Sequence, residues 1–246
     1  MASYQDVVLA MRPTGAWALN QASGTDFPPY VNFVHATITG IDAYQQPGPF
    51  TNALAVHLAT GGKATIPIGS TNAQRAYTEV WFKRDSASAP ASDLAVIYAG
   101  NSSSNGSGIF WRSSGELSVL RGGSGHTMTG IFPTPGWHLF AFGGLADGRL
   151  AVALDGQILF AQSLTTTTPS PDNTYIASAS AFTVPEPVSI ALPAIYPEAM
   201  DAYNVYASYL AASDPDRAMA YTPVGGTLQN WDLLNQILAS VRRTYG

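Results

Sequence analysis

The sequence predicts an all-β fold, an antiparallel sandwich or jelly roll with a short helical extension at its C-terminus. Three observations predict it. Short runs of β-branched and aromatic residues recur along the 246 residues. Gly, Pro, Asp and Ser punctuate those runs at short intervals. Only three segments carry helical spacing, so strands outnumber helices.

The strands are taken in order. Ala76–Lys83 (Ala-Tyr-Thr-Glu-Val-Trp-Phe-Lys) is dense in β-branched and aromatic residues and reads as a strand, as does Leu94–Ala99. Ile109–Arg112 and Leu117–Leu120 flank Ser-Ser-Gly, a hairpin signal. Trp137–Phe142 follows a Pro-Gly turn. Leu150–Leu154 and Gln157–Phe160 are joined by Asp155-Gly156. That pair tolerates positive φ and favours a type I′ turn. Asp147-Gly148 marks the turn before, so this stretch is an antiparallel meander. Residues 86–92, 101–108 and 165–171 are polar and read as surface loops.

The helices follow. Tyr4–Met11 reads as a short one ended by Pro13. Ala199–Ala212 reads as another, with Asp201 as its N-cap and Asp214-Pro215-Asp216 as its break. Leu228–Arg243 follows Gly225-Gly226 and a Thr227 N-cap. Its Leu228, Trp231, Leu234, Leu238 and Val241 recur at three and four, with Asp232 early and Arg242 and Arg243 late. This stripe suits docking on the chain's own sandwich or on another subunit.

Composition narrows the function. Apolar residues make up 46%, enough for a sizeable core, while charged residues make up 11%, against about 25% in an average soluble domain. Eleven basic and sixteen acidic residues leave a net charge of −5. With no basic cluster before Arg242 and Arg243, this disfavours a nucleic acid partner. No cysteine is present, so disulfides, thiolate zinc sites and thiol nucleophiles are excluded. The N-terminus lacks the features of a signal peptide, and no apolar run approaches a membrane span. A cytosolic origin combined with the composition of an extracellular β-protein points to a virus particle, assembled inside a cell and exposed outside it.

A series of short motifs resembles the laminin-G-like, concanavalin A-like jelly-roll family. Trp17–Thr25 resembles its opening strand and Ser-Gly turn, and Asn32–Gly40 its next segment. Glu79-Val80-Trp81 sits where the family has a Glu-x-Trp strand. Gly136-Trp137-His138 and the Leu154-Asp155-Gly156 hairpin resemble its middle. Ile195-Tyr196 through Met200, then Tyr206 and Tyr209, resemble its closing strand and helix. The resemblance implies one jelly-roll domain over residues 1–212; residues 213–246 lie outside it and read as an added helical extension. The family commonly has an Asp-Glu pair before the closing strand. Ala191–Tyr196 has no acid there, which weakens any inherited metal or polar role at that edge.

Chemistry-bearing constellations are scarce. Glycoside hydrolysis, known among relatives in this superfamily, needs two carboxylates flanking the sugar. Glu79 is the natural candidate, but its same-face neighbours Trp81 and Lys83 supply no second acid. Asp85 at the strand end is placed on the opposite face. Glu79 is therefore expected to pair with a nearby cation. His35, His57, His126 and His138 form no metal-binding spacing. His138 is expected to be a hydrogen-bonded structural residue. Gly122–Gly125 lacks the Lys-Ser or Lys-Thr of a phosphate loop. Asp147 and Asp155 are read as turn formers rather than calcium ligands. Trp111, Arg112, Arg121 and His126 lie near Asn- and Ser-rich loops and could form a sugar platform. Trp111 as sandwich core is the favoured reading, so no binding residue is assigned.

The expectation is thus a virion structural protein without enzymatic activity, a bacteriophage minor tail or surface-decoration protein presenting a lectin-like domain. Its partners would be other virion proteins, copies of itself or a host-surface glycan, with no membrane insertion, metal or cofactor. The alternatives are a free carbohydrate-binding lectin-like protein and a glycoside hydrolase.

Overall fold

Fourteen strands join in one continuous antiparallel sheet that folds over on itself. The computed structural model describes residues 3–67, 76–100, 106–122, 124–162, 173–179 and 183–221. In chain order the strands are β1 (Gly15–Ala16), β2 (Asp26–Phe27), β3 (Ala36–Pro47), β4 (Leu54–Ile66), β5 (Tyr77–Arg84), β6 (Leu94–Ala99) and β7 (Ser107–Trp111). They continue as β8 (Leu117–Arg121), β9 (Ser124–Met128), β10 (Gly136–Gly144), β11 (Leu150–Leu154), β12 (Gln157–Gln162), β13 (Thr174–Ile176) and β14 (Val188–Tyr196). The main path runs β12-β11-β10-β5-β14-β4-β13-β6-β7-β8-β9. This is the predicted antiparallel β-sandwich, with a helical extension at its C-terminal side.

One strand joins the two halves. β4 pairs with β14 around Leu58 and with β13 around Ala64. Between those contacts lie Gly61 and Gly62, opposite Gly40 of β3. Gly40 has φ +69°, and a Cβ there would come within 2.5 Å of the Gly62 Cα. Only glycines let the two backbones cross this bend.

Alternate side chains of each half meet in the interior. Val80, Phe82, Phe140 and Val152 from one half pack with Ile97, Trp111, Leu117 and Val119 from the other. Trp111 is core: its ring lies 6.2 Å from Phe140, the Arg84 guanidinium sits 4.7 Å over it, and Arg84 pairs with Glu186. The expected Asp155-Gly156 turn is present, with φ +51° and +80°, the two positive values that a type I′ turn requires.

The outer face of β5, β10, β11 and β14 is covered by helices. These are α1 (Tyr4–Ala10), α2 (Ala202–Leu210) and α3 (Pro215–Ala218), followed by a 3-10 turn over Met219–Tyr221. Asp201 caps α2 as expected, accepting from the backbone N–H groups of Tyr203 and Asn204. Asp214-Pro215 does not simply break the chain. Asp214 accepts from the Arg217 N–H at 3.1 Å and caps α3, with Pro at its first turn. Tyr4, Val7, Val8, Val205, Ala218 and Tyr221 form a second core with Tyr77, Trp81 and Tyr196. The expected helix over 228–243 lies outside the described residues.

Candidate functional site

A cleft of about 710 Å³ opens at the margin of the helical cap. That volume is within the range of ordinary ligand pockets. Five separated segments build it: the start of α1, the stretch after β1, the β3–β4 turn, the middle of β14 and the segment from Ala211 to Pro215.

Its aromatic wall comes from local sequence. Pro47-Gly48-Pro49-Phe50-Thr51-Asn52 is a turn-forming string. The Gly48 N–H donates to the Ala53 carbonyl at 2.9 Å, and the Ala53 N–H to the Phe50 carbonyl at 3.0 Å. This holds Phe50 at the rim, 5.0 Å from the ring of Tyr4. Tyr4 is fixed in turn, because its hydroxyl accepts from the Trp81 indole at 3.2 Å. Trp81 also stacks on Tyr209, 6.0 Å away.

The far wall is a bulge. β14 slips register against β5 between Ala191 and Ala194, at Leu192-Pro193. Pro cannot donate to the ladder and sits in central strands only at such irregularities. Leu192 has φ +50° and lines the cleft. Asn52 (φ +67°) lines it too, and Leu19 (φ +51°) lies between the lining residues Ala18 and Asn20. Positive φ is costly for leucine. Such strained positions gather at functional sites, and here two leucines border one opening.

Chemically the lining is polar but uncharged. Gln5, Asn20, Thr51 and Asn52 offer amides and a hydroxyl beside Phe50, while the Ser3 and Ser213 hydroxyls donate to Asp6 and the Leu210 carbonyl; among the described residues no Asp, Glu, Lys, Arg or His lines the cleft. Hydroxyls and amides can both donate and accept hydrogen bonds, while an aromatic face takes apolar ring surface.

The residues singled out from sequence lie elsewhere. Among the described residues, Glu79 has no cation beside it. It is fully buried under the helices, and its Oε1 accepts from the Tyr196 hydroxyl at 2.6 Å and the Ser208 hydroxyl at 3.0 Å. Its Oε2 has no hydrogen-bonding partner among the described residues. Burial pushes the Glu79 carboxyl up to about 7, against the pull of those two hydroxyls. The expected ion pair fails because the helices bring tyrosines and a serine, not lysine or arginine, onto this part of β5.

Asp85 is also corrected. It lies on the Lys83 side, 4.0 Å from the Lys83 amine, and joins His57. His57 lies between Asp42 at Nδ1 and Asp85 at Nε2, the latter 2.7 Å away. Burial lowers its pKa, but the two carboxylates outweigh burial and raise it overall. His138 is a hydrogen-bonded structural residue, with Nδ1 on Asp155 and Nε2 on the Thr134 carbonyl, both at 2.7 Å. Asp147 is occupied by Arg149 at 2.7 Å. Among the described residues no group of three His, Asp or Glu is arranged to hold a metal.

A smaller recess of about 230 Å³ lies on the open face of β6, β7 and β8. Tyr98, Phe110 and Leu120 line it, and Arg112 closes on Asp93 at 2.9 Å. Arg112 of the expected platform lies here, whereas Trp111 points into the core.

Neither a family model nor a curated protein matches the chain. Solved structures do. Trypanosoma rangeli sialidase is similar over 83% of this chain and 33% of its own, with a TM-score of 0.62 and 17% identity. The botulinum neurotoxin serotype D binding domain is similar over 82% of this chain and 52% of its own, with a TM-score of 0.60 and 12% identity. The chain thus spans about a third of the sialidase and half of the toxin domain.

Similarity at this identity establishes a shared fold.

The lectin-like jelly roll implied by the motif series is consistent with these neighbours. The expectation that the chain lacks enzymatic activity is corrected. The fold occurs within a sialidase, an enzyme, so the scarcity of sequence motifs gives no ground for excluding glycoside hydrolysis.

Proposed function

We propose that this protein is a lectin-like glycan-recognition module whose saccharide site is the cleft between the β3–β4 turn and the helical cap. One observation carries the reading: Phe50 stands among uncharged hydroxyl and amide side chains in an opening bordered by strained Leu19 and Leu192. A sugar presents that same chemistry, apolar C–H faces ringed by hydroxyls. The fold neighbours support it, since one is a sialidase solved with sialic acid and another is a toxin's binding domain.

Recognition is what the cleft's own residues support, with the Phe50 ring beside amides and a hydroxyl. The test is a glycan array probed with the full chain. Saturable binding that free sugar competes away is expected, weakened in Phe50→Ala. Release of reducing sugar in the same incubations reads turnover directly. Absence of saturable binding across the array would overturn the proposal.

The virion setting rests on composition and motif resemblance. In it, the module would present the cleft to a host-surface glycan. Absence of the protein from purified particles of its source would remove that setting and leave the glycan reading intact.

A further inference from the structure

The geometry points to an uncharged glycan as the occupant of the cleft, an inference that rests on reading the cleft as a saccharide site. Carboxylated sugars such as sialic acid carry a full negative charge. Taking that charge out of water is costly unless a cation or several fixed donors meet it. Of the described residues lining the cleft, none is Lys, Arg or His.

Among the described residues, the charged side chains adjoining the lining segments are all acidic: Asp6, Asp214 and Asp216. Asp6 is held in the capping box of α1, where hydrogen bonds from the Ser3 backbone and side chain lower its pKa and keep it ionised. Asp214 caps α3. The next cation, Arg217, interacts with the Tyr221 hydroxyl. The chain as a whole carries −5.

What the cleft does offer matches a neutral sugar. Asn20, Thr51 and Asn52 are exposed at its rim. Their amides and hydroxyl can serve sugar hydroxyls as donor or acceptor. Phe50 supplies a ring for a C–H face.

The experiment sets two panels against the full chain by calorimetry. One holds neutral polymers (mannan, galactan, β-glucan and soluble starch) and lactose. The other holds carboxylated ones (polysialic acid, alginate and hyaluronate) and 3′-sialyllactose. Binding is expected in the neutral panel, with an affinity unchanged between about 0.05 and about 0.5 M NaCl, a range over which exposed charges are increasingly screened. Phe50→Ala should weaken it about tenfold. Asn20→Ala, at an exposed position that folding does not need, should weaken it severalfold.

A carboxylated ligand as the tightest binder, with affinity lost in salt, overturns the inference. If Phe50→Ala or Asn20→Ala still weakens that binding, the saccharide site stands and only the ligand class falls. Absence of binding in both panels brings down the glycan reading itself. So does binding that ignores both variants.

Discussion

The outer face of β5, β10, β11 and β14 and the outer face of β6, β7 and β8 start from the same pleated geometry and end differently. The first is rich in alanine: Ala141, Ala151, Ala153, Ala191 and Ala194 are all buried. Small side chains let helices lie close to the sheet, and tyrosines and Trp81 fill the spaces between. The second carries only Ala95, Tyr98, Tyr175 and Ala179 as a buried cluster, with Phe110 and Leu120 half-buried beside it. No described helix covers it. The covered face thereby gains a second core, a sealed carboxylate and a cleft of about 710 Å³ at the margin of the cap. The open face gains a recess of about 230 Å³. The larger opening comes with the added layer.

Trp81→Ala is the sharpest way to break the covered face. The indole is 4% exposed, donates to Tyr4, meets Phe50 edge-on and stacks on Tyr209. Its removal should cost about 3–5 kcal/mol, as for other buried aromatics. Urea unfolding measures this. A loss under about 1 kcal/mol would mean that the helices are not held by this side chain.

How far the sequence reveals this contrast depends on the element. β5 to β8, β10 to β12, α1 and α2 are legible because each has one clear period or a strong turn. β3 and β4, the longest strands, are not. Their pairing slips at three places between Thr39 and Gln46, and Gly40, Gly61 and Gly62 break the alternation. Glu79 is visible as a carboxylate on a strand, but its partners Tyr196 and Ser208 lie 117 and 129 residues away. The cleft is the least legible feature. Its lining comes from five distant segments of uncharged residues, which make no motif, and Trp111 draws attention to the wrong face. The one local hint is Leu192-Pro193 inside an otherwise apolar strand, a bulge signal.

A smaller effect comes from the sealed carboxylate. Glu79 holds its proton more tightly folded than unfolded, since burial raises its pKa from 4.5 to about 7. Its contribution to stability is therefore fully present below pH 4.5 and is lost as pH rises through about 7. Tyr4, Tyr30, Tyr77 and Tyr196 surround it and, with raised pKa values of their own, remain neutral in that window. His57 and His138 also have raised pKa values and lose stability in the same direction. The comparison must therefore be between variants. In Glu79→Gln the amide oxygen can still accept from Tyr196 and Ser208, so the fall in urea midpoint from about pH 5 to about pH 8 should shrink. An unchanged pH profile would show that Glu79 does not titrate there and would assign the slope to the histidines.

Phe110→Ala probes the other side and should do least. The ring is half-buried, 5.9 Å from Tyr98 in an edge-on contact, and one side of it faces the open recess. Much of its surface stays wet in the folded protein, so truncation should cost about 1 kcal/mol or less, far from the penalty for a fully buried ring. Glycan affinity should be untouched, because this recess lies on the other half of the sheet from the cleft. Unfolding in urea and calorimetry on one preparation read both quantities. A cost equal to that of Trp81→Ala would mean that the open face is covered in solution, and the contrast between the two faces would then be one of which layer covers each, not of whether one does.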